Sequence, residues 1–151
     1  MAQSLARLWT HLIFSTKNRF PFLSDKSIRA DMHKYLATVL REHDCETLIV
    51  GGVEDHVHAL FALSRSYSIA TIVKEIKRTS SSWIKEASPR LAKFHWQNGY
   101  GAFSVSQSDL ARVVSYIETQ EQHHQRITFQ DEFRAFLRKY EIEYDERYVW
   151  D

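Results

Sequence analysis

Apolar and polar positions alternate along this chain in two rhythms, one of strands and one of helices. Leu8 to Thr16 is apolar and β-branched and stops at the polar turn STKNRFPF, which predicts a first strand. Ser24 offers a helix N-cap, and Ile28, Met32, Tyr35, Leu36, Val39 and Leu40 then recur at helical spacing until about His43. Thr47 to Val50 predicts a short strand ended by Gly51 and Gly52, with His56 to Leu63 as its hairpin partner across the turn at Glu54 and Asp55. Ile69, Ile72, Val73, Ile76 and Trp83 stripe a second helix that ends before Pro89. GYGAFSVS at 99 to 106 predicts a fourth strand, and Ser106 with Asp109 caps a third helix. Phe129, Phe133, Phe136, Leu137 and Tyr140 give a helical tail that folds onto the body or onto a partner.

The order βαββαβ predicts an α+β fold. This is a ferredoxin-like, split-βαβ antiparallel sheet with two helices on one face, followed by a third helix and a tail over about 125–151. The other face is then expected to be open. On it His56, His58, Leu60 and Ala62 would point one way, and Val57, Ala59, Phe61 and Leu63 the other way, toward the helices.

With 151 residues, 44% of them hydrophobic, the chain suits one domain over 1–151. No apolar run is long enough for a leader or a membrane span, so a cytoplasmic protein is expected. One cysteine, Cys45, excludes an internal disulfide framework and a CxxC metal site. The absence of GxxxxGK[ST] argues against a nucleotide cofactor. A net charge of +1 carries no global sign of nucleic-acid binding, so such binding must rest on a local cluster. Lys74, Lys77, Arg78 and Lys85 share one face of the second helix with Ser81; a solvated outer face explains them equally well. Lys17 and Arg19, after the first strand, are a second candidate. Trp96 and Tyr100 are read as core residues before they are read as platforms for unpaired bases.

The candidate chemistry begins at EDHVHAL, residues 54 to 60. His56 and His58 alternate onto one face, where two imidazoles can grip one cation, but with eight histidines in the chain such a pair is weak by itself. On the third helix Leu110, Val113, Val114 and Ile117 are the buried stripe, and Tyr116 and Gln120 stand one turn apart at its border. If this helix crosses the open face, Gln120 completes a His, His, Gln metal site with Tyr116 beside it. Read singly, Tyr116 is an edge-of-core tyrosine and Gln120 a solvated amide. His123 and His124 read either as groups near phosphate or metal, or as a polar helix end. His11, His33, His43 and His95 carry no pattern.

Taken together, DHVH, GYGAFSVS and SYIETQEQHH, in this order and in so short a chain, resemble the single-tyrosine HUH transposases of small bacterial insertion sequences and their REP-associated tyrosine transposase relatives. The likeness runs from HLIFSTKNR to about His124. It implies that His56, His58 and Gln120 bind a metal, Mg2+ or Mn2+, and that Tyr116 is the nucleophile. It also implies a homodimer acting on single-stranded DNA with hairpins near the element ends, through a 5'-phosphotyrosine and a free 3'-hydroxyl. Such dimers can set the tyrosine helix of one subunit against the histidines of the other, and a shared site is expected here. Two other functions compete. A histidine-triad hydrolase would need a third histidine where Leu60 stands, and a domesticated relative would hold hairpin DNA without cutting it.

Overall fold

The computed structural model describes residues 2–151. Four strands form one antiparallel sheet in the order β2-β3-β1-β4, from β1 (Trp9–Ser15), β2 (Thr47–Gly52), β3 (His56–Ala62) and β4 (Gly101–Ser104). β1 is central, with Trp9 opposite Ala62 and Ser15 opposite His56 on one side, and Thr10 opposite Ser104 on the other. Helices α1 (Lys26–Glu42) and α2 (Ile69–Ala87) cover one face. There Leu12, Phe14, Val57, Ala59 and Phe61 of the sheet pack with Met32, Leu36, Leu40, Ile72, Ile76 and Ile84. The ferredoxin-like fold expected from the element order is therefore present.

Local details differ from the pattern's reading. The cap of α1 is Asp25 and not Ser24; its carboxylate accepts from the backbone N–H groups of Ser27 and Ile28. β4 is four residues long rather than eight. The Lys77 ammonium donates to the carbonyls of Gln97, Asn98 and Gly99 at 2.8, 3.3 and 2.6 Å. Ser106 makes no side-chain cap, and a short 3-10 turn at Gln107–Asp109 leads into α3 (Leu110–Glu118).

The larger difference is on the second face, which is not open. After α3 the chain turns through α4 (Gln120–His123) into α5 (Phe129–Lys139), capped by Thr128 on Asp131. Phe129, Phe133 and Leu137 of α5 pack on Ile13 and Phe103 of the sheet. Two glycines permit these close approaches. A Cβ on Gly51 of β2 would stand 2.9 Å from Ile117 of α3, and one on Gly101 of β4 would stand 2.6 Å from Phe133 of α5. The histidine face thus lies under the tail. No helix among the described residues is long and apolar enough to cross a membrane.

Candidate catalytic and metal site

Strand alternation puts His11 of β1 and His56 and His58 of β3 on the covered face, and all three are buried. α3 brings Tyr116, α4 brings Gln120 and His123, and His124 caps α4. α5 adds Glu132, a carboxylate 1% exposed in the middle of the cluster. One oxygen, Oε1, has His58 Nε2 at 3.0 Å, His124 Nε2 at 3.1 Å and His56 Nε2 at 3.3 Å. The other, Oε2, accepts from Gln120 Nε2 at 3.1 Å and from the Tyr116 hydroxyl in a short hydrogen bond. His123 Nε2 lies 3.2 Å from the same hydroxyl.

The outer nitrogens of the imidazoles are also held. His56 Nδ1 is 2.7 Å from the Asp55 carboxylate, His124 Nδ1 is 2.9 Å from the Ile127 carbonyl, and His58 Nδ1 is 2.8 Å from His11 Nε2. Since a carbonyl or carboxylate only accepts, Nδ1 of His56 and of His124 carries the proton, and in the neutral ring the lone pair sits on Nε2. For His58 the same follows if His11 accepts. With all three rings neutral, three lone pairs converge on a carboxylate, an arrangement that repels itself unless a cation lies among them or a ring takes up a proton, as the raised pKa of His56 favours. His124 Nε2 is buried 3.1 Å from Glu132 and has no hydrogen-bond donor of its own.

The ionisation of the cluster follows from this crowding. Burial opposes a charge on His56, yet its hydrogen bonds to Asp55 and Glu132 raise its pKa to about 9. Burial holds His58 down to about 4 and His11 to about 3. The surrounding imidazoles outweigh burial at Glu132 and hold it well below the usual carboxylate range. Burial, then the charge of Glu132, pushes the Tyr116 phenol above its ordinary value.

This donor set fits a divalent cation. One ligand atom from each of His56, His58, His124 and Glu132 lies within 4.8 Å of the others, and the Gln120 oxygen is 3.1 Å from His56 Nε2. Neighbouring ligands around a cation with bonds of ~2.1 Å stand about 3.0 to 3.4 Å apart, the range of the imidazole-to-carboxylate separations. The sequence reading missed Glu132 and gave His11 no role. It left His124 undecided.

A family model for IS200-like transposases matches residues 4–120, which contain both the histidine pair and the Tyr116–Gln120 helix. The chain belongs to the IS200-like transposase family. It is similar to the ISDra2 transposase TnpA of Deinococcus radiodurans, with 26% identity over 115 residues, 73% of this chain and 81% of that protein. A solved transposase structure from Deinococcus radiodurans R1 superimposes with a TM-score of 0.63 at 26% identity, over 80% of this chain and 95% of that one. The REP-associated tyrosine transposase solved bound to a REP hairpin shares the fold, with a TM-score of 0.58 and 16% identity over 84% of this chain and 76% of its own. In this IS200-like transposase His124 and Glu132 lie beyond the span that the family model matches.

Within one chain Tyr116 meets the histidines, its ring 5.8 Å from that of His58. α3 docks closely at Gly51 and α5 at Gly101. The basic group is not uniform. Lys77 is committed to three carbonyls, and Arg19 packs 5.7 Å over the Trp150 ring. Arg78 pairs with Glu75 at 2.7 Å. Lys17 and Lys74 are exposed, and Lys85 is half-buried. Lys74 and Arg78 line a groove of about 370 Å³ with Tyr100, which is exposed, whereas Trp96 is core and donates to Ser80 at 3.0 Å.

Proposed function

We propose that this transposase cuts and rejoins single-stranded DNA by transesterification at Tyr116, with a divalent cation held by His56, His58 and Glu132 and with His124 and Gln120 as further donors. The observation that carries this reading is that the Tyr116 hydroxyl and three imidazole Nε2 atoms share one buried carboxylate, Glu132. A bound cation supplies positive charge that offsets charge on the phosphoryl oxygens and favours the phenol's anion. Two or three imidazoles suit Mn2+ better than Mg2+.

The protein's own groups do the rest. Tyr116 Oη bonds to phosphorus as the bond from phosphorus to the 3'-oxygen breaks; the 3'-oxygen leaves and takes a proton from solvent. His123 Nε2, 3.2 Å from the hydroxyl, is placed to take the phenol proton. Asp55, His11 and the Ile127 carbonyl fix the imidazole rings so that no rotation is needed during the step. Attack by a DNA hydroxyl on the phosphotyrosine reverses the reaction and restores the phenol.

Hairpin DNA as the partner is supported by the REP hairpin bound to a transposase of the same fold. Lys17, Lys74, Arg78 and Lys85 are the cations available to it. The outer strands β2 and β4 keep a homodimer in the proposal, each subunit using its own site. The test is incubation with labelled single-stranded hairpin DNA and Mn2+, followed by a denaturing gel for a covalent adduct. A non-cleaving hairpin-binding protein has one observation in its favour: burial, and then the charge of Glu132, hold the phenol above its ordinary pKa. That reading gains if hairpin binds and no adduct forms.

A further inference from the structure

A cleft of about 330 Å³ runs between α3 and α5 beside the end of β4. Tyr116 and His123 both line it, the hydroxyl of the one 3.2 Å from Nε2 of the other. Val113, Ile127 and Phe136 give it apolar walls, and Tyr140 is fixed at one side by a 2.8 Å hydrogen bond from its hydroxyl to the Ser104 carbonyl. Two cations stand at the mouth, Arg112 and Lys139, the latter 5.6 Å from the centroid of the Tyr140 ring. The acids facing the cleft are accounted for: Asp109 lies 3.8 Å from Arg112, and Glu132 is surrounded by imidazoles.

We propose that this cleft is a subsite for one unpaired nucleotide adjoining the phosphate that Tyr116 attacks, the base against Phe136 and Tyr140 and the backbone under Arg112 and Lys139. The inference rests on the reading of Tyr116 as nucleophile, because Tyr116 lines this cleft. The volume is that of a small-ligand site, so a base enters only after leaving its stack, as enzymes acting on single nucleotides require. Aromatic walls accept any base by its face, so this position is tolerant of sequence. Charge complementarity comes from the two rim cations, since the sheet side of the phenol is filled by buried histidines.

The experiment uses the full chain, isotopically labelled, titrated by NMR with a thymidine tetranucleotide and with the same backbone lacking bases. Expected are shifts at the amides of Val113, Ala135 and Lys139, and binding about tenfold weaker without bases. Ala135→Trp, which fills the cleft from an exposed position, and Lys139→Glu at the rim should each remove those shifts while leaving Mn2+ affinity by calorimetry unchanged. Shifts confined to the α2 groove, equal affinity with and without bases, or no binding would overturn the subsite. Failure of the tyrosine reading looks different: wild-type protein binds the tetranucleotide in the cleft but forms no adduct with hairpin DNA. Wild-type adduct formation in Ala135→Trp would reject the subsite and leave Tyr116 untouched.

Discussion

The Tyr116 hydroxyl donates to Glu132, a carboxylate sixteen residues further along the chain, and the same carboxylate faces His58 at 3.0 Å. The proposed nucleophile, the metal-binding candidates and the tail helix thus meet in one side chain. Without a cation, burial and that carboxylate keep the phenol protonated. With one, the carboxylate's charge is shared and the phenol's proton is easier to lose.

Glu132→Gln separates two roles. The amide keeps the shape of the carboxylate but loses its charge, so Mn2+ binding measured by calorimetry should weaken about 10- to 100-fold, and adduct formation should fall with it. Faster adduct formation with unchanged metal affinity would mean that Glu132 only restrains the phenol.

Tyr116→Phe removes the proposed nucleophilic oxygen and its two hydrogen bonds, to Glu132 and to His123, and leaves every imidazole in place. Adduct should vanish on the denaturing gel, while hairpin binding by gel shift and Mn2+ affinity stay within a few-fold of wild type. A persisting adduct would assign the chemistry to another tyrosine, although Tyr144 and Tyr148 stand in an acidic segment.

The sequence announced most of the fold because strand and helix periods are local. The HUH pair was legible as a β alternation, and Tyr116 with Gln120 as one helical turn. Glu132 was not, since no spacing ties it to His58, 74 residues earlier. A signal did exist: Glu132 falls at i+3 from Phe129 and beside Phe133, an acid on an otherwise apolar stripe, and such an acid requires a partner when buried. His11 sat likewise among the strand residues Leu12 to Phe14. What the pattern could not say is which sheet face the tail would cover, because Gly51 and Gly101 announce a close approach only once the approaching residue is known.

The cations on α2 should divide. Lys77→Met leaves three carbonyls unsatisfied and should cost about 1–3 kcal/mol in denaturant unfolding, with the salt dependence of hairpin binding unchanged. Lys74→Ala with Arg78→Ala should do the reverse, lowering the slope of log affinity against log salt by about one unit for each phosphate no longer neutralised. An unaltered slope in that double variant would leave the groove merely solvated.

The completeness of each chain's site is open to a direct test by subunit mixing. Tyr116→Phe and His56→Ala proteins are each expected to be inactive, the first for want of a nucleophile and the second because His56 lies 3.1 Å from Gln120 and 3.3 Å from Glu132 in the same cluster. In a dimer with shared sites, a mixed pair contains one intact set of His56, His58, Glu132 and Tyr116, and adduct reappears. With sites built inside one chain, every set in the mixture lacks one member. The anchoring of α3 at Gly51 and of α5 at Gly101 holds Tyr116 to its own sheet, so mixtures should stay inactive even where tagged subunits demonstrate exchange. Recovery of adduct would show that α3 to α5 can leave the sheet they cover here and dock on a second copy, with Glu132 travelling alongside Tyr116 because the two are hydrogen-bonded.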